Sequence, residues 1–169
     1  KIICNLSNTP VNSATLCASA TKDDNTTICL SLISSSVPKG NSVTVAHHMD
    51  DWITRGTQKR GNYLTGLTDV FQKALSHDGF GISAKGKLIL DIGGNIGLFT
   101  AVAAAHGARV ETFEPGARNR KKISITVFAN SFHRVNVHPI GLGAQTSPMM
   151  VYFDPASLVF NSDGVVVKG

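Results

Sequence analysis

No apolar run in this sequence approaches the ~20 residues that an α-helix needs to cross a bilayer, so no helical membrane span is expected. It does not open on the charged-then-apolar pattern of a secretory leader, and its first residue is Lys1 rather than Met, as in a processed chain or an excised piece. Acid is scarce: 11 Asp and Glu stand against 16 Lys and Arg, a formal charge of +5. That surplus permits anionic partners without requiring them. Aromatics are few, and none interleaves with the cations Arg118, Arg120, Lys121 and Lys122. Nucleic-acid binding by base stacking is therefore not expected, and the cluster reads as a solvated face. Cysteine is limited to Cys4, Cys17 and Cys29, with no CxxC pair, which excludes the paired spacing of a zinc site and allows at most one internal disulfide. Two N-x-[ST] sequons, at Asn5 and Asn25, share that stretch. Cysteines and sequons together favour a secretory lumen, with the cytoplasm as the alternative.

The 169 residues suffice for one domain and a lead-in segment. Residues 1–44 are rich in Ser, Thr and Asn and read as an extension or stem, with "ICLSLIS" as a short strand. A domain is expected over 45–169. "VAHHMDDWITRG" reads as partly helical. "NYLTGLTDVFQKALSHDG" has Leu64, Leu67, Val70, Phe71, Ala74 and Leu75 at helical spacing, which predicts one buried face.

From Lys87 the pattern becomes alternating. "KLILDIG" is an apolar strand of the kind buried on both faces. "NIGLFTAVAAAHGA" is a helix stopped at Gly107, and "RVETFEP" is a strand stopped at Pro115. "ARNRKKISITVFANSF" is a second helix, with Ile123, Val127 and Phe128 expected inward and the cations outward. "RVNVHPIGLG" supplies a third strand. "PMMVYFD" and "DGVVVKG" read as two more strands, with a hairpin possible across "PASLVFNS". The order β-α-β-α-β predicts parallel strands, right-handed crossovers and an open, doubly wound α/β sheet with helices on both faces.

In such a sheet, ligands sit outside the carboxyl ends of the strands. Asp91, Gly93, Gly94, Asn95 and Gly97 occupy one such end and Glu114 the next. Glycines let the backbone turn tightly and approach a ligand. The following helix points its first amides at the same place. A carboxylate at Glu114 suits the two hydroxyls of a ribose, because it only accepts hydrogen bonds and has room for two donors. A dinucleotide fingerprint would need a second glycine where Asn95 stands, so NAD(P) and an oxidoreductase form the weaker alternative. Asp91 can instead face an ammonium group, and the backbone at Gly93 and Asn95 a carboxylate or sulfonium region. That combination describes S-adenosylmethionine.

"LILDIGGNIGLFT", "ARVETFEP", the "FAN" closing the next helix and "VNVHPIGLG" resemble, in order and spacing, the S-adenosylmethionine-dependent methyltransferases of the FkbM type. The resemblance runs from about Asp50 to the C-terminus and is strongest over 88–143. It implies a Rossmann-like class I methyltransferase fold and methyl transfer to an oxygen of a small molecule, sugar or glycan. It implies that Asp91, Gly93, Asn95 and Gly97 line the methionine end, that Glu114 holds the ribose, and that Pro139 and Ile140 lie near the adenine. The family continues with a Lys-Ile-Asp-x-Glu-Gly-type strand that Lys168-Gly169 does not supply, which implies the N-terminal part of such a domain. No catalytic residue is assigned. A degenerate domain serving as a binding module is the non-enzymatic alternative.

The remaining candidates are weaker. "HHMDD" holds metal-ligand atoms in His47, His48, Asp50 and Asp51, but no distant partners are evident, so no metal is expected. His106 reads as structural at a helix end. His138 is considered as a general base at the cleft mouth, with a polar strand end as the simpler reading.

Overall fold

A computed structural model describes residues 15–16, 27–33, 42–48, 65–76, 83–143, 150–153 and 165–168. The elements in order are β1 (Thr15–Leu16), β2 (Thr27–Ile33), β3 (Ser42–His48), α1 (Thr65–Leu75), β4 (Leu88–Ile92), α2 (Leu98–Ala105), β5 (Arg109–Phe113), α3 (Ala117–Ala129), β6 (Val135–His138), β7 (Met150–Phe153) and β8 (Val165–Lys168). The fold is α/β. Its centre is a parallel sheet in the order β4-β5-β6, with Asp91 opposite Thr112 and Phe113 opposite His138. Strands β1, β2 and β3 form an antiparallel sheet, and β7 pairs with β8 antiparallel as the hairpin expected there.

Helices were expected on both faces of the parallel sheet; among the described residues they cover one. Ile89, Val110 and Val135 share the core with Leu98, Ala101 and Val102 of α2. Thr112 bonds Thr100 of α2 and lies beside Ile123 of α3 at the Gly94 turn. The physical reason is strand order. Two right-handed crossovers that step in one direction across a sheet land on the same side. A doubly wound sheet needs a reversal that β4-β5-β6 lacks. The other face of β4 is correspondingly open, with Leu88, Leu90 and Ile92 between 52% and 62% exposed. The strand was expected to be buried on both faces.

The boundary expected at residue 44 falls inside β3. Val43 and Val45 belong to the core, and β3 packs on α2 and α3. Val45–His48, the start of the stretch expected to be partly helical, is strand, and the rest of that stretch lies outside the described residues. The backbone of β3 bonds to side chains of α3. Thr44 N–H donates to Asn130 Oδ1 at 2.9 Å, Asn130 Nδ2 donates back to Thr44 O at 2.6 Å, and Ala46 N–H donates to Thr126 Oγ1 at 2.9 Å. A side-chain amide thus stands in for a neighbouring strand.

This second contact also rotates α3. Lys122, Ile123, Ile125 and Thr126 are buried while Phe128 is 59% exposed, so Phe128 does not face inward and Lys122 does not face water. Two layers press on the helix, which gives it a wider buried face than one sheet would. In α1, Thr68 and Leu75 are buried but Leu67 and Val70 are exposed. Phe71 meets Phe99 of α2 edge-on at 5.1 Å, and that contact fixes the rotation of α1.

Candidate functional site

Strand β4 ends at Ile92, and the chain enters α2 through Gly93–Gly97. Three of those five residues have positive φ: Gly93 at 79°, Asn95 at 49° and Gly97 at 90°. Asn tolerates this left-handed region better than most side chains. At Gly94 the constraint is space. A Cβ there would drive into Thr112 Cγ2, with Ile123 Cδ1 only 3.3 Å away. The turn is therefore pressed against β5 and α3.

Both acids chosen from the sequence stand at this end, and both hold backbone. Asp91 accepts hydrogen bonds from the hydroxyl and the backbone N–H of Thr100, in the first turn of α2. Thr100 Oγ1 lies 2.7 Å from Thr112 Oγ1, extending the chain of bonds to β5. Glu114 is 4% exposed. Its Oε1 accepts from Gly116 N–H at 2.7 Å, at the start of α3, and its Oε2 accepts from Asn95 N–H at 2.9 Å. Each carboxylate thus closes a strand–helix turn, where a helix start favours negative charge. Burial holds the Asp91 carboxyl above its usual range, and the Thr100 bonds oppose that shift in part.

The amide of Gly93, expected to meet a ligand carboxylate, donates to Phe113 O at 2.8 Å, and Gly94 N–H donates to the same oxygen at 3.1 Å. Asn95 N–H is spent on Glu114. What the turn leaves unspent is the Asn95 side chain: among the described residues its buried Oδ1 has no partner. Pro139 and Ile140 are exposed after β6. Their loop approaches the β5 exit, since a Cβ on Gly141 would lie 3.8 Å from Pro115 Cγ. The structure thus gathers Asp91, Gly93, Gly94, Asn95, Gly97 and Glu114 at one end, with Pro139 and Ile140 on the loop beside Pro115.

The remaining candidates sort differently. His138 points to the opposite face of the sheet from Asp91. Its Nε2 sits 2.7 Å from Glu111 Oε2, and its ring stacks on Phe113 at 4.7 Å. Asn136 holds the other Glu111 oxygen at 2.9 Å. The bonds to His138 and Asn136 keep the Glu111 carboxyl below its ordinary range. An imidazole so fixed closes a strand end rather than addressing the glycine turn. His106 stands at the C-terminal cap of α2, and burial pushes its pKa down. His47 is buried in β3, and Asp50 and Asp51 lie outside the described residues. No cluster of three metal-ligating side chains occurs among the described residues. Cys4, Cys17 and both sequon asparagines also lie outside them, while Cys29 is in β2. No helix there is long and apolar enough to cross a membrane.

Sequence reasoning missed an apolar cavity of about 330 Å³ beside Asp91, walled by Leu67, Val70, Phe71, Leu90 and Phe99. The apolar spacing of α1 was the available signal, but it was read as core. In comparisons with known proteins, the chain matches no family model and no curated protein.

Proposed function

We propose that the Asp91–Gly97 turn and Glu114 form a cofactor half-site, and that the chain is an S-adenosylmethionine-dependent methyltransferase domain of Rossmann-like class I type. The acceptor would be an oxygen of a small molecule, sugar or glycan. One observation carries this reading. Asp91, one residue before the end of β4, and Glu114, just after β5, stand at the carboxyl ends of two neighbouring parallel strands beside a left-handed turn, and the Asn95 Oδ1 buried in that turn has no partner among the described residues. A carboxylate at the carboxyl end of β5 suits a ribose diol, because it only accepts hydrogen bonds. Asn95 Oδ1 would take a further donor. Burial raises the Asp91 pKa, and an ammonium group beside it would favour the ionised carboxylate. S-adenosylmethionine brings an already activated methyl group, so the protein's share is to hold the donor and acceptor in line.

A binding module without catalysis is the second reading. It is favoured by the fact that both acids already serve the backbone. Calorimetric titration with S-adenosylhomocysteine tests the first. Saturable binding is expected, weakened about ten-fold by Glu114→Gln in a chain whose circular dichroism is unchanged. Binding of NAD in its place would overturn the proposal. No binding by the folded chain would leave the non-catalytic reading standing.

A further inference from the structure

At the opposite end of the parallel sheet, the turns that lead into β4, β5 and β6 lie side by side. Gly86 N–H donates to Gly107 O at 2.8 Å, Arg109 N–H to Lys87 O at 2.7 Å and Val110 N–H to Arg134 O at 2.8 Å. Every one of these turns carries a cation at the sheet rim: Lys85 and Lys87, then Arg109, then Arg134. Between them is a cavity of about 340 Å³, lined by the exposed Lys85, His133 and Arg134 and by the more buried Ala104, Ala108 and Phe132. That volume is at the small end of ligand pockets.

Two facts separate this rim from ordinary surface charge. Among the described residues, no carboxylate lines the cavity. The described carboxylates Asp69, Asp91, Glu111 and Glu114 lie on α1, at the strand carboxyl ends or on the open sheet face. Moreover, the head groups of Lys85, His133 and Arg134 make no hydrogen bond or ion pair among the described residues. Cations near helix carboxyl ends offset the helix dipoles, but none of these three is spent on a terminal carbonyl.

We propose that this rim binds a phosphomonoester bearing a small apolar group. A monoester carries nearly two negative charges at neutral pH, which matches Lys85 and Arg134 together. Arginine meets phosphate oxygens in a two-pronged fashion, and lysine as a point charge. The apolar group lies against Ala104, Ala108 and Phe132. The site stands apart from the Asp91–Glu114 end and does not depend on the methyltransferase reading.

The test is an amide-detected NMR titration of the full chain with phenyl phosphate, at low salt, with benzyl alcohol as the uncharged control. Saturable shifts are expected at Lys85, Gly86, Gly107, Ala108 and Arg134, with Gly93–Gly97 unmoved. Lys85→Gln and Arg134→Gln should each weaken binding about five-fold, with thermal unfolding unchanged because both are exposed. Ionic strength of about 0.2 M should weaken it further. Equal shifts with benzyl alcohol, shifts confined to Arg118–Lys122, or undiminished binding by the double variant would each overturn the proposal. Vesicles of phosphatidic acid and of phosphatidylglycerol then separate the sources. Capture by phosphatidic acid alone, lost in the double variant, assigns the phosphomonoester to a lipid headgroup. Phenyl phosphate binding without vesicle capture assigns it to a soluble ligand.

Discussion

At Gly94 the fold has room for a hydrogen and little else. Gly94→Ala should destabilise the chain by about 2 kcal/mol through overpacking against Thr112. Thr112→Ser removes the obstructing methyl and keeps the hydroxyl bonded to Thr100, so the double variant should recover part of the loss in urea unfolding. Asp91 sets a pH dependence. Burial raises its folded-state pKa, so the folded chain holds that proton more tightly than the unfolded one. The resulting stabilisation is present below the ordinary aspartate pKa and is lost as pH rises through the raised value. Asp91→Asn should therefore gain stability relative to the parent between acid and neutral pH. Denaturant midpoints at several pH values measure it, and parallel curves would show that Asp91 does not titrate this way.

Among the elements, β3 and α3 are tied through two side chains at the end of α3, Asn130 and Thr126, of which Asn130 makes more of the bonds. Asn130 serves Thr44 N–H and Thr44 O, and it donates to Thr126 O at 2.7 Å. Asn130→Ala would strand partly buried backbone groups, at a cost of about 2–3 kcal/mol. Hydrogen exchange should show protection lost first at Thr44. If Ala46 alone opened, Thr126 rather than Asn130 would be the main tie. The rotation of α1 makes a related point about cavities. Its apolar Leu67 and Val70 were expected in the core, yet they line the space beside Asp91. A helical spacing identifies an apolar stripe but not what the stripe faces.

For the molecule as a whole, one face of β4 stays open. Leu88, Leu90 and Ile92 form an exposed apolar row on that strand, a surface that favours self-association. Leu90→Lys should lower the concentration-dependent component in sedimentation velocity while changing stability by under about 1 kcal/mol. Ligand linkage is the second whole-molecule readout. S-adenosylhomocysteine at about 100 times its Kd should raise unfolding free energy by about 2.7 kcal/mol if the site binds only the folded chain. An unchanged melting temperature at saturating ligand would contradict the proposed function.

Local chemistry determined the parallel α/β core: the alternation of apolar runs and Ala-rich stretches around Asp91 and Glu114, and the glycines between them, were legible in the sequence. So was the convergence of those residues at one end, because parallel pairing brings successive strand termini together. What the acids do there was not legible. A carboxylate placed to accept from a ribose is also placed to accept from Asn95 and Gly116 N–H, and only the tertiary path of both turns decides which donors arrive. The same holds for Lys122 and Phe128, whose burial and exposure reverse the reading from polarity because β3 packs on α3 as a second layer. Sequence periodicity reports one buried face. How many layers a helix meets, and which strand faces stay bare, follows from strand order and long-range docking, which no local spacing encodes.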